Sequence, residues 1–144
     1  MDIQLPDNAP QSPDPIRDLL RNSKTIAVVG LSSSRLRPSN GVASYLQSAG
    51  YKIVPVNPNE TEVLGEKSYA RLEDIPFPVD IVDVFRRPEH VPRVADSAIA
   101  IHAKALWLQQ GITNEAAAAK AHAAGLLVVQ DACMFLEHKS RRPL

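Results

Sequence analysis

A single cysteine, Cys133, occurs among 144 residues, which excludes an internal disulfide framework. The chain also lacks any excess of charge: 16 Lys and Arg stand against 16 Asp and Glu, scattered and not striped along one segment. Such a balance provides no broad positive footprint for a nucleic-acid backbone, so nucleic acid is not an expected partner. No apolar run approaches the roughly 18 residues of a membrane span, and no membrane is expected either. The N-terminus carries Asp2, Asp7 and Asp14 in place of the basic region of a secretion signal, which reads as a cytoplasmic protein. His, Cys and carboxylates nowhere fall at metal-ligand spacing, so no metal is expected.

What the chain has is material for a core. A hydrophobic fraction of 44% against 22% charged residues fits one globular domain. Four prolines (Pro6, Pro10, Pro13 and Pro15) fall in the first fifteen residues without apolar periodicity, so residues 1–15 read as a flexible arm and residues 16–144 as the domain. Ile16, Leu19 and Leu20 have helical spacing and predict a short helix ending near Asn22.

The run Lys24-Thr-Ile-Ala-Val-Val-Gly30 is β-branched and almost wholly apolar, as a strand buried on both faces must be. Similar runs cover Tyr51–Val56, Val79–Phe85, Lys104–Leu108 and Gly125–Val129, beginning 21 to 28 residues apart. That interval accommodates a crossover helix each time. Val42, Tyr45, Leu46 and Ala49 mark one helical stripe; Val91, Val94, Ala95, Ala98 and Ile101 mark another, with Pro92 in its first turn. Thr113 predicts an N-cap for a helix over Asn114 to Ala124, and one helical turn is expected around Ala70 to Asp74. The fold class is therefore α/β, a doubly wound sheet of five parallel strands, and ligands of such sheets bind beyond the carboxyl ends of the strands.

The strand ends carry the chemistry. Gly30 opens a loop holding Ser32, Ser33, Ser34, Arg35, Arg37 and Ser39 ahead of an amphipathic helix, a composition suited to cradling phosphate. It is neither G-x-G-x-x-G nor a Walker loop, and an ordinary polar loop with Ser39 as N-cap is the alternative. After the second run stands Asn57, where an NAD site usually has Asp or Glu; an uncharged residue there tolerates a phosphorylated ribose, as in NADP or coenzyme A, or simply forms a turn with Pro58. After the third run, Phe85-Arg86-Arg87-Pro88 joins an aromatic face to two guanidiniums. With Arg35 and Arg37, these would gather four guanidiniums on one rim of a neutral protein, a local site for a compact polyanion.

Taken in order, Gly30-Leu-Ser-Ser with Arg37-Pro-Ser39, Val54-Pro-Val-Asn-Pro58, Leu64-Gly65, Val79-Asp-Ile-Val-Asp-Val-Phe-Arg86, Trp107-Leu-Gln109, Gly111-Ile112 and Asp131-x-Cys133 form a specific combination. From about Ile16 to His138 the chain closely resembles the small stand-alone CoA-binding-domain proteins, which are similar to the nucleotide-binding domain of the succinyl-CoA synthetase α subunit. The resemblance implies a Rossmann-like domain binding coenzyme A or acyl-CoA. It implies that Gly30, Ser32, Ser33 and Arg35 hold phosphates, that Val56 and Asn57 lie beside the adenosine, and that Phe85, Arg86 and Arg87 complete the rim. Family members commonly have Asp-Arg-Cys where this chain has Asp131-Ala132-Cys133, which puts in doubt any contact made from that arginine.

No catalytic set is visible. His90, His102, His122 and His138 read as surface residues. Cys133 follows the last strand, either packed as a small apolar side chain or facing the thiol of a bound coenzyme A. Two readings stay open: a CoA-binding module without turnover, and a small NADP-dependent or acyl-transfer enzyme whose catalytic groups are not recognisable.

Overall fold

The computed structural model describes residues 1–144 and opens with strand β1 (Asp2–Gln4), helix α1 (Pro15–Asn22), strand β2 (Thr25–Val29), helix α2 (Pro38–Ser48) and strand β3 (Lys52–Val56). A two-stranded hairpin of β4 (Glu62–Val63) and β5 (Glu66–Lys67) follows. The chain then alternates through β6 (Ile81–Val84), α3 (Val91–Ala100), β7 (Ala105–Leu108), α4 (Glu115–Ala123), β8 (Leu127–Gln130) and α5 (Met134–Lys139). The main sheet runs β1-β8-β7-β6-β2-β3, parallel throughout except for β1. This is a Rossmann-like, doubly wound α/β domain.

The apolar runs become central strands because both of their faces are covered. Ala27 and Val29 join the core under α3 and α4, with Val82, Val84, Leu106 and Leu108. Ile26 and Val28 point the other way, into a second core with Leu20, Leu46, Trp107 and Met134 from the side of α1, α2 and α5. The order of connection then fixes where a ligand fits. From β2 the chain winds outward to β3, then crosses back so that β6 lies on the other side of β2, and the topology switches direction between β2 and β6. Their carboxyl ends are level, Val29 opposite Val84, and at such a switch the flanking loops diverge and leave a crevice.

Several expectations need correction. The sheet has six strands, not five, because residues 2–4 of the supposed arm pair antiparallel with β8, Asp2 opposite Gln130. Main-chain bonding to an open edge needs no apolar periodicity, and only Ile3 packs against the core, so so short a strand leaves no pattern to read. His122, read as a surface residue, fastens this segment by donating to the Leu5 carbonyl at 2.7 Å. His138 is 5% exposed and not a surface residue either; α5 brings it against Tyr45, whose hydroxyl lies 2.8 Å from Nδ1. The N-cap of α4 is Asn114, not Thr113, with its side chain accepting from the Ala117 N–H at 3.0 Å. The helical turn near Ala70 is a 3-10 turn over Leu72–Asp74, and Pro92 does lie in the first turn of α3. No helix is long and apolar enough to cross a membrane.

Candidate functional site

The crevice between β2 and β6 begins at Gly30. Its φ of +88° lies in the left-handed region, and a Cβ built there would stand 2.4 Å from the Phe85 carbonyl oxygen. Only glycine lets the two strand ends approach this closely, while its N–H still donates to the Val56 carbonyl at 2.9 Å. Beyond it, the loop is pinned to the start of α2: the Ser32 N–H donates to Ser39 Oγ at 3.1 Å, and Asn40 Nδ2 donates to the Ser32 carbonyl at 2.9 Å. Ser39 therefore does not cap α2. The cap position is Arg37, which makes no side-chain capping bond, and the first turn of α2 contains no acidic residue.

The uncapped start of α2 carries the partial positive charge of a helix N-terminus, although Pro38 has no N–H and the Asn40 N–H already donates to the Arg37 carbonyl at 3.1 Å. It forms one wall of a cleft of about 580 Å³ lined by Gly30, Ser32, Arg37, Pro38, Ser39, Asn57, Phe85, Arg86, Arg87, Pro88 and Ile112. Arg37, Arg86 and Arg87 all line it, none of them in an ion pair, and no carboxylate lines the cleft. Three uncompensated cations beside a helix N-terminus make a site for an anion bearing more than one charge. The rings of Phe85, Pro38 and Pro88 and the side chain of Ile112 add flat apolar surface for a base or an alkyl chain.

Eight of the residues singled out from the sequence thus line one cleft: Gly30, Ser32, Arg37, Ser39, Asn57, Phe85, Arg86 and Arg87. Three do not. Ser33 and Arg35 stand on the exposed outer limb of the loop, where Arg37 N–H closes a turn onto the Ser34 carbonyl. Val56 lines an adjoining cleft of about 380 Å³, which shares Arg86 with the first. Asn57 is placed as expected but its amide is already engaged: Nδ2 donates to the Leu31 carbonyl at 3.0 Å, and Oδ1 accepts from the Asn59 N–H at 2.9 Å. It is the turn-forming residue that joins the loops after β2 and β3.

Pro88, expected with Phe85 to offer a face for an adenine, also lines the cleft, whereas Pro38 and Ile112 were not singled out as contacts although each belongs to a segment following a strand. Ile112 is held in the wall by Asp131, whose Oδ1 accepts from the Gly111 N–H at 2.7 Å and whose own N–H donates to the Ile112 carbonyl. Asp131 thus fixes the loop shape. Cys133 is half-buried at the N-cap of α5 and does not line the cleft. Behind the site, Asp83 is fully buried, with Gln109 Nε2 donating to its Oδ1 at 2.6 Å. Burial pushes its carboxyl up to about 7, against the opposing effect of the Gln109 bond.

Comparison with known proteins identifies the family and the fold. Residues 24–139 match the family model described as a CoA binding domain. The protein YneT of Bacillus subtilis is 44% identical over 123 residues, which are 85% of this chain and 91% of that one. An ADP-forming acetate–CoA ligase, II of Archaeoglobus fulgidus, is 37% identical over 81 residues; the match takes in 55% of this chain and only 12% of the ligase. Among solved structures, a hypothetical protein from Pyrococcus horikoshii OT3 superposes with a TM-score of 0.87 at 38% identity, covering 97% of this chain and 98% of that one.

Proposed function

Because the chain belongs to the CoA-binding domain family, we propose that its cleft holds coenzyme A, free or as acyl-CoA, by the ADP moiety, and that the domain acts as a binding module without turnover of its own. The observation that carries this reading is that Arg37, Arg86 and Arg87, none of them in an ion pair, line one cleft with the uncapped start of α2. In it, Gly30 leaves room for the diphosphate beside Ser32 and Ser39, Ser33 and Arg35 stand outside on the exposed limb of the same loop, and the guanidiniums of Arg37, Arg86 and Arg87 share the diphosphate and the 3′-phosphate. The adenine packs against Phe85 or in the adjoining cleft beside Val56, with Asn57 holding the wall between the loops. The absence of a carboxylate from the lining favours a phosphorylated ribose over a free 2′,3′-diol.

A thermal-shift panel of coenzyme A, acetyl-CoA, dephospho-CoA, NAD, NADP and FMN tests this. At 100 times its dissociation constant a ligand stabilises by about 2.7 kcal/mol, several degrees in a domain of this size. Coenzyme A and acetyl-CoA are expected to shift the transition, dephospho-CoA less, NAD and FMN hardly at all. A shift with NADP and none with coenzyme A overturns the assignment.

A further inference from the structure

The loop after β2 meets its backbone demands in an unusual way. Ser32 N–H donates to Ser39 Oγ, Ser34 N–H to Ser32 Oγ and Leu36 N–H to Ser34 Oγ, all neutral hydroxyls within or next to the loop. The Ser33 N–H alone is served from a distant segment and by a charge, donating to Glu60 Oε2 at 2.6 Å. Glu60 makes no ion pair, so no cation explains where its carboxylate sits. Its backbone is anchored instead: Glu60 N–H donates to the Asn57 carbonyl at 3.2 Å, and Asn57 Nδ2 donates to the Leu31 carbonyl at 3.0 Å, tying this turn to the loop.

We propose that Glu60 is a tethered anion that occupies the phosphate loop until a ligand displaces it. The proposal rests on the reading of this cleft as a nucleotide site. A backbone N–H that binds a carboxylate at this distance is the kind of donor a phosphate oxygen takes. The single Ser33 proton serves one anion at a time, so a phosphate oxygen that takes it displaces Glu60, and a phosphate held in the cleft at the neighbouring Ser32 is repelled by that carboxylate. A tethered carboxylate also acts at a high effective concentration. A phosphate with no other anchor loses that competition; a diphosphate ester that also engages Arg37, Arg86 and Arg87 overcomes it. Glu60 therefore sets a threshold that rejects small free anions and admits a ligand with several points of attachment.

The test compares the wild type with E60Q, whose side chain keeps the shape and loses the charge, using pyrophosphate and coenzyme A as separate probes. Nuclear magnetic resonance of the ligand-free proteins reports the Ser33 amide proton, and calorimetry gives the affinities. The Ser33 resonance is expected to move upfield in E60Q, and both anions to bind about fivefold more tightly, the factor matching 1 kcal/mol of relieved repulsion. An unmoved Ser33 resonance overturns the proposal, as does unchanged or weaker binding of whichever anion binds. If coenzyme A binds both proteins equally, the nucleotide reading stands and the role of Glu60 falls. If coenzyme A binds neither while E60Q gains pyrophosphate affinity, the reverse holds, and if nothing binds either protein both readings fall.

Discussion

Gln109 Nε2 donates to Asp83 Oδ1 across neighbouring strands at 2.6 Å, and the other carboxylate oxygen of Asp83 has no partner in the sheet interior. Register explains the pairing. Asp83 lies opposite Trp107 on β7, so Gln109, two residues further on, is its diagonal neighbour on the same face. Gln109 Oε1 in turn faces the Met134 N–H at 3.4 Å, which connects the buried carboxyl to the start of α5. A carboxyl with one unsatisfied oxygen in a dry environment favours its protonated form.

Stability should therefore fall as pH rises through the range set by Asp83. The folded carboxyl ionises at about 7 against 3.8 for an ordinary aspartate, so between those limits the folded chain holds a proton that the unfolded chain has released. The sign of the linkage makes unfolding easier with rising pH, by up to about 1.4 kcal/mol per unit, and the full penalty is present above pH 7. Asp83→Asn removes this slope while keeping the shape. Urea unfolding of both proteins from pH 4 to 8 should show the variant gaining on the wild type up to about pH 7 and then holding level; a constant difference contradicts the assignment.

Gly30→Ala should be damaging for two separate reasons. The left-handed backbone costs an alanine about 1 kcal/mol, and the added Cβ stands 2.4 Å from the Phe85 carbonyl oxygen, a contact relieved only by moving β2 away from β6. The expected loss is at least about 2 kcal/mol of stability, together with ligand binding in the crevice. Gly41 offers a control, since a Cβ there meets nothing within 4 Å and a helix interior favours alanine by about 1 kcal/mol. Denaturant midpoints moving in opposite directions for the two substitutions would bear this out; equal shifts would not.

The contrast between those glycines shows what was legible in the sequence. Strands β2, β3, β6, β7 and β8 were readable because burial on both faces leaves a continuous apolar run, and their carboxyl ends supplied Gly30, Asn57, Phe85, Arg86 and Arg87 to the site. The edge strand over residues 2–4 was not, because its pairing is made by main chain. Neither was the partner of Ser33, since a bond between residues 27 positions apart depends on how two loops fold toward each other. His138 was misread for a related reason: α5 is six residues long, too short for its buried face to stand out as a period.

Asp14 carries two duties that a single substitution removes. It caps α1 by accepting from the Arg17 N–H at 3.2 Å and pairs with Arg141 Nε at 2.9 Å, holding the segment after α5 against α1. The Arg141 hydrogen bond leads the causes that hold its carboxyl below the ordinary value, against some desolvation. A lowered folded pKa contributes stability above the unfolded value and loses it as pH falls through the folded one, opposite in sign to Asp83. Asp14→Ala should cost about 1 kcal/mol near neutrality, the usual loss for an N-cap with a part-exposed ion pair, and progressively less below pH 4. A pH-independent cost would mean that the charge contributes nothing.

The three guanidiniums of the cleft permit a sharper test of ligand identity. Arg37, Arg86 and Arg87 have no ion-pair partners, so replacing each with Gln should change stability by no more than about 0.5 kcal/mol. Binding is a different matter, because a hydrogen bond to a charged group is worth about 1.5–3 kcal/mol, or roughly tenfold or more in affinity. Each variant should bind coenzyme A more weakly and depend less on salt than the wild type. Dephospho-CoA then separates their roles. The variant lacking the guanidinium that reads the 3′-phosphate should bind coenzyme A and dephospho-CoA alike, while the two that hold the diphosphate should lose affinity for both and keep the wild-type preference. Calorimetry on the wild type and the three variants with both ligands decides it, and an unchanged preference in all three variants would remove the 3′-phosphate from the rim.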